Sequence, residues 1–201
     1  MITIIGLGSL LCQKSAERTC PTLKNFRLGS LFGYRRVFNK TDSDFVKSNE
    51  MPVTHNKYAC LSAVPCDIEH EMTVSAFEIS ETEWLPFLKR EFEYKLVRVQ
   101  FIDQDSKNAD GILCVGDYKN DLECEFVCES DPYRLSLWKE YKSKCDEPMW
   151  RTDLLPDESY LKRCLDIAKE HGTYVYDNFI KTTYIGDQSQ TIEEYLRKTN
   201  L

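Results

Sequence analysis

The order of its segments predicts an α+β protein. Short stretches rich in Val, Ile, Phe and Tyr, separated by turn residues, come first, and stretches with helical spacing and clear caps come last. One capping box, Ser80 with Glu83, opens a helix in the middle, and no repeat or low-complexity tract interrupts the order. A chain of 201 residues is a little longer than a usual single domain, so one domain with a C-terminal extension is expected.

Ile2 to Ile5 reads as a buried strand that runs straight into Gly6-Leu7-Gly8-Ser9-Leu10-Leu11. Two glycines permit positive φ and leave backbone N–H groups to face an anion or a carbonyl oxygen. A simple tight turn is the other reading, because the pattern is neither Gly-x-Gly-x-x-Gly nor a phosphate loop ending in Gly-Lys-Ser/Thr. Phe26 to Ser30 and Gly33 to Phe38 form strand pieces around a glycine turn, with the imperfect alternation of barrel strands. Asn39 to Lys57 is polar and predicts a long loop of the kind that covers binding sites. Tyr58 to Val64 and Met72 to Ile79 return to strand character across a turn near Pro65-Cys66-Asp67.

In the central helix Trp84, Leu85 and Leu88 fall on one face, and Tyr94, Leu96 and Val97 then switch to strand character. The helix therefore hands over to a strand near Glu91. Tyr94 to Ile102 and Gly111 to Val115 predict two further strands joined by the polar turn Asp103 to Asn108. Asp131-Pro132 caps a helix whose face is Leu135, Trp138 and Tyr141. Pro156-Asp157-Glu158 opens another, with Tyr160, Leu161, Cys164, Leu165 and Ala168 as its stripe and Gly172 as its stop. Thr191 with Glu194 caps a last helix through Arg197.

Composition narrows the function classes. Hydrophobic residues are 42% and aromatics 12%, enough for a folded core. A formal charge of −7 lacks the positive footprint that nucleic acid or an anionic membrane requires, which leaves a small molecule or a protein as partner. Nine cysteines with no Cys-x-x-Cys pair argue against a disulfide scaffold or a structural zinc, and predict reduced, mostly buried thiols. The N-terminus lacks the pattern of a signal peptide, and no stretch approaches the ~20 apolar residues of a membrane span, so a cytoplasmic location is expected.

Glu91 is the candidate general base, because a carboxylate leaving a helix beside Phe92 and Tyr94 can sit at the rim of an apolar pocket, where desolvation raises its pKa. The alternative is a surface carboxylate paired with Lys89 or Arg90. Glu93, two residues on, is expected to be solvated. Tyr34, Arg35 and Tyr94 are candidate pocket residues, or core and rim residues. Spacing selects no Cys/His pair and no metal set from His55, His70 or His171, and Ser9 lacks the Gly-x-Ser-x-Gly elbow.

Four stretches together resemble the gamma-glutamyl cyclotransferase-like superfamily. Ile5-Gly6-Leu7-Gly8-Ser9-Leu10 resembles its Tyr-Gly-Ser-Leu strand-to-loop motif, and Gly33-Tyr34-Arg35-Arg36-Val37-Phe38 its second motif. Arg90-Glu91 followed by Tyr94 and Val99 resembles the segment that carries its catalytic glutamate, and Glu194-Tyr195-Leu196 its C-terminal stretch. The resemblance implies a small mixed β-barrel with flanking helices over 1–128 and a helical extension over 129–201 packed on it. It also implies release of 5-oxoproline from a small gamma-glutamyl compound, with Glu91 as acid/base and no metal or cofactor. The implied substrate-binding residues are Leu7, Gly8, Ser9, Leu10, Tyr34, Arg35 and Tyr94. Leu7 stands where the family carries tyrosine, so the alternative is a non-catalytic member of the same fold that binds a metabolite or a protein.

Overall fold

Five strands close on themselves. β1 (Ile2–Gly6), β5 (Glu71–Ile79), β2 (Lys24–Phe32), β6 (Lys95–Asp103) and β7 (Asn108–Val115) pair in that order, and a parallel register of Ile4 and Ile5 against Ile112 and Leu113 shuts the ring. The other four seams are antiparallel, so the barrel is mixed. The computed structural model describes residues 1–42, 56–118, 120–145 and 147–199. The sheet continues past β7 into β4 (Lys57–Pro65) and β3 (Tyr34–Thr41), and the short strands β8 (Leu155–Pro156) and β9 (Thr183–Ile185) add to β4 and β3 in parallel.

The two-residue period of the strands sorts their side chains between two faces. On β5, Met72, Val74 and Ala76 enter the barrel with Ile5, Val99, Phe101 and Leu113, while Phe77 and Ile79 turn outward to Phe87, Trp138 and Trp150. Both faces are covered, which is why Met72 to Ile79 reads as a nearly continuous apolar run and not as clean alternation.

Among the described residues seven helices clothe the sheet: α1 (Gln13–Glu17), α2 (Glu81–Arg90), α3 (Asp121–Glu129), α4 (Pro132–Lys144), α5 (Glu158–Glu170), α6 (Thr173–Thr182) and α7 (Ile192–Thr199). The α+β order is as the sequence predicts, with α1, α3 and α6 beyond that reading. Gly172 ends α5 as expected, yet at φ +102 it also serves as the N-cap of α6, so a stop signal hides a second start. The inner face of α2 is corrected. Leu85 is 57% exposed, and Glu83 is buried instead because Oε1 accepts the Thr22 N–H at 2.7 Å while Oε2 accepts the Ser80 N–H at 3.1 Å. On α4 the residue that turns inward with Trp138 and Tyr141 is Arg134, not Leu135. β3 runs past Phe38 to Thr41, so the polar stretch 39–57 starts inside a strand; of it, 43–55 lie outside the described residues.

Arg134 fixes the junction between α2 and β6. Its Nε and Nη2 donate to the Phe92 carbonyl at 2.9 and 2.7 Å, and Nη2 also donates to the Tyr94 carbonyl at 2.5 Å. Hydrogen bonds to a charged group contribute about 1.5–3 kcal/mol each, and a lysine cannot reproduce the fork. Arg134→Lys should therefore lower unfolding stability by at least about 1.5 kcal/mol in a urea titration; an unchanged midpoint would show that the clamp is dispensable.

Candidate functional site

The site is built at that junction. Glu91 caps α2 with φ −116 and ψ 26, its N–H donating to Phe87 O at 3.0 Å, and the Tyr94 N–H returns to Glu91 O at 3.2 Å. Residues 91–94 therefore form a turn, and β6 starts at Lys95. Besides Arg134, the thiols of Cys124 and Cys128 on α3 donate to the carbonyls of Glu93 (3.3 Å) and Phe92 (3.7 Å). The backbone of the turn is thus held from behind. Its two carboxylates, Glu91 (8% exposed) and Glu93 (4% exposed), line one cavity of about 170 Å³.

The opposite ends of the sheet supply the remaining walls. Leu7, Ser9 and Leu10 come from the 3-10 turn Gly8–Leu11 that follows β1. Gly8 stands behind them at φ +58, where a Cβ would lie 2.7 Å from the Tyr160 hydroxyl and 2.9 Å from Leu61, so only glycine fits. The Leu10 N–H is used within the turn, on Leu7 O at 3.2 Å, and the Ser9 N–H is taken by the Tyr160 hydroxyl, whereas the Gly8 N–H precedes the turn's first internal bond. A bulge between Phe38 and Lys40 sets Lys40 opposite Cys60, and both side chains enter the cavity. Tyr94 donates its hydroxyl to Leu61 O at 2.9 Å, and Tyr160 on α5 hydrogen-bonds Ser9.

Each acid has its own cation. Lys40 Nζ lies 2.6 Å from Glu93 Oε1, and Arg90 Nε lies 2.9 Å from Glu91 Oε1 while Nη1 donates to Thr19 Oγ1 at 3.1 Å. Burial pushes the Glu91 carboxyl above the ordinary glutamate value, and the negative charge of Glu93 adds to that push against the pull of Arg90 and Lys40. Burial alone would lower Lys40, but Glu93 more than offsets it and the ammonium is held charged. Burial raises Cys60, Tyr94 and Tyr160 well above their usual values, so thiol and phenols stay protonated. A buried, neutral thiol is a poor nucleophile, while a carboxyl of raised pKa is suited to moving protons.

Of the sequence-predicted residues, Glu91, Leu7, Ser9, Leu10 and Tyr94 gather at this cavity and Gly8 shapes it from behind. Tyr34 and Arg35 lie elsewhere: Tyr34 packs on the barrel interior and the Arg35 guanidinium sits over the Tyr184 ring at 4.9 Å. Glu93 is not solvated. The expectation let Glu93 follow Glu91 inward only in a strand already begun; residues 91–94 form a turn, yet Lys40 draws the carboxylate inward all the same. The Arg90 partner of the alternative reading is present, on a carboxylate that is buried and not at the surface. Lys40, Cys60 and Tyr160 escaped the sequence reading as site residues; Lys40 is hidden there by the polar run after Phe38, and Tyr160 by its place in an apolar stripe. His70 lies near Tyr184 and His171 Nε2 pairs with Leu11 O, while His55 is outside the described residues. Among the described residues no group of three or more His, Cys, Asp or Glu is placed to hold a metal, and no helix is long and apolar enough to cross a membrane.

No family model matches the chain, and no curated protein matches it significantly. Among solved structures the chain is similar to a gamma-glutamyl cyclotransferase (10% identity, 80% of this chain and 96% of that chain, TM-score 0.46). It is similar to the uncharacterized protein loc79017 from Homo sapiens (11% identity, 80% and 96%, TM-score 0.46). A third is At3g28950.1 from Arabidopsis thaliana (16% identity, 72% and 86%, TM-score 0.41).

The raised Glu91 pKa has a signed consequence for stability. A carboxyl with a higher pKa folded than unfolded favours the folded state when protonated, and that contribution is lost as pH rises through the folded value. Glu91→Gln removes the cost of the buried charge, and Arg90 remains partly solvated. The variant should melt above the wild type at pH 7 by calorimetry, with the gain shrinking as pH falls toward the ordinary glutamate range; a lower melting temperature at pH 7 would contradict this.

Proposed function

We propose that this protein is a gamma-glutamyl cyclotransferase-like enzyme that releases 5-oxoproline from a small gamma-glutamyl compound, with Glu91 as general acid/base. The observation that carries this reading is the buried carboxyl of Glu91, its pKa raised by burial, lining one cavity with Leu7, Ser9 and Leu10 of the glycine turn. The reaction needs one proton shuttle and no external nucleophile. Glu91 takes a proton from the substrate's α-ammonium, the freed amine attacks the γ-carbonyl carbon, and a C–N bond forms as the ring closes. The bond to the leaving amine then breaks while Glu91 returns that proton to its nitrogen, and the ring nitrogen sheds its second proton to the freed Glu91 carboxylate, which passes it to the departing amine as an ammonium. The glycine turn, whose Gly8 N–H precedes its first internal bond, is the side from which the developing oxyanion would be met. Attack within one bound molecule is unimolecular, so positioning supplies much of the acceleration. A cavity of about 170 Å³ is small beside the ~300–1,000 Å³ of drug-sized sites, which suits a glutamyl head with its leaving group outside.

The second reading is a non-catalytic metabolite-binding member of the same fold. Leu7 in the cavity wall, with no hydroxyl to offer a substrate, and the Arg90 ion pair on Glu91 favour it.

Incubation with a panel of gamma-glutamyl donors decides between them. The enzyme reading expects 5-oxoproline from at least one donor and a loss of about a hundred- to ten-thousand-fold in Glu91→Gln. Its kcat/KM should fall on the acid side with a limb above the ordinary glutamate range, because the base must be deprotonated and its pKa is raised. No release by the folded wild type from any donor would establish the binding protein.

A further inference from the structure

The cavity holds more charge than a proton shuttle uses. Glu93 Oε1 is paired with Lys40 at 2.6 Å, but Oε2 is buried and has no partner among the described residues. Buried polar atoms are almost always satisfied, and a carboxylate oxygen left without a donor carries its full desolvation cost. Glu93 is 4% exposed and lines the cavity, so the donor that fits is an occupant of that cavity. Lys40 offers the converse: an ammonium has three donors, and its ionic partner among the described residues is Glu93 alone, with the Tyr94 ring 5.6 Å away. One anion and one cation side by side, each with unused capacity, match a zwitterion.

Resting on the cyclisation reading, we infer that Lys40 and Glu93 form the subsite for a free α-amino acid head, Glu93 Oε2 receiving the substrate's α-ammonium and Lys40 its α-carboxylate. Glu91 is two residues from Glu93 on the same turn and lines the same cavity, so an amine held by Glu93 stands beside the group that must deprotonate it. The pair also sets specificity. Donors whose α-amine is acylated or whose α-carboxylate is amidated leave one buried charge unpaired and are rejected. A purely structural ion pair, by contrast, would discriminate no ligand.

Calorimetric titration with L-glutamate, glutarate and 4-aminobutyrate tests this with ligands that carry no γ-amide leaving group. Glutarate lacks the amine and 4-aminobutyrate lacks the α-carboxylate. The wild type should bind L-glutamate about tenfold or more tighter than either, as charged hydrogen bonds require. In Glu93→Gln the advantage over glutarate should vanish while that over 4-aminobutyrate persists, and Lys40→Met should show the reverse. Should either single variant not fold, Lys40→Met/Glu93→Gln, which removes both charges, should bind the three ligands alike. An advantage over glutarate that survives in Glu93→Gln or in the double variant, or a wild type that does not distinguish the three, would overturn the assignment. The cyclisation reading is judged apart from it: selective L-glutamate binding without 5-oxoproline release keeps the subsite and removes the reaction.

Discussion

A guanidinium buried beneath a four-residue turn holds this site together. Arg134 donates to the carbonyls of Phe92 and Tyr94, and the thiols of Cys124 and Cys128 reach those of Glu93 and Phe92, so the polar backbone where α2 stops and β6 starts is satisfied from the protein side. The carboxylates of Glu91 and Glu93 are thereby left to the other side. Few local arrangements can bury two acids two residues apart; a strand would point both to one face, and a helix would spread them roughly 200° apart. Here a turn clamped by α3 and α4 brings both into one cavity, and the C-terminal half of the chain supplies that clamp.

The electrostatics follow from that constraint. Two acids in a small cavity would repel, and one cation for each offsets the repulsion without making the two alike. Glu93 is paired with a largely buried ammonium delivered by the bulge in β3, while Glu91 is paired with a more exposed guanidinium that is shared with Thr19. Burial dominates at Glu91 and raises its pKa, whereas the neighbouring phenols and thiols stay neutral. Two carboxylates on one turn thus sit in distinct environments, one beside a buried ammonium and one beside a guanidinium at the cavity's edge.

Much of this was legible in the chain. The Ser80–Glu83 box, the switch of period near Glu91 and the Asp131-Pro132 cap each express a local preference that the fold keeps. The glycine turn after β1 was legible too, because Gly8 answers a local demand for positive φ. What escaped depends on tertiary partners. Glu93 reads as a solvated charge, and Arg134 is not singled out at all, because sequence gives the cost of burial and not the partner that offsets it. Lys40 lies in a stretch whose polar composition resembles a loop, and only the pairing of β3 with β4 across a bulge turns it inward. α6 was hidden by Gly172, a residue that ends one helix and starts the next at the same φ.

The account turns on the protonation of a single carboxyl, and that can be observed directly. A carbon-13 NMR titration of glutamate-labelled protein, with the Glu91 side-chain resonance assigned by its disappearance in Glu91→Gln, follows the group without a substrate. The account predicts that this carbon titrates above the ordinary glutamate range, because burial outweighs the Arg90 pair. Titration at or below that range would mean that the ion pair dominates and that Glu91 is an anchored anion, not a proton shuttle.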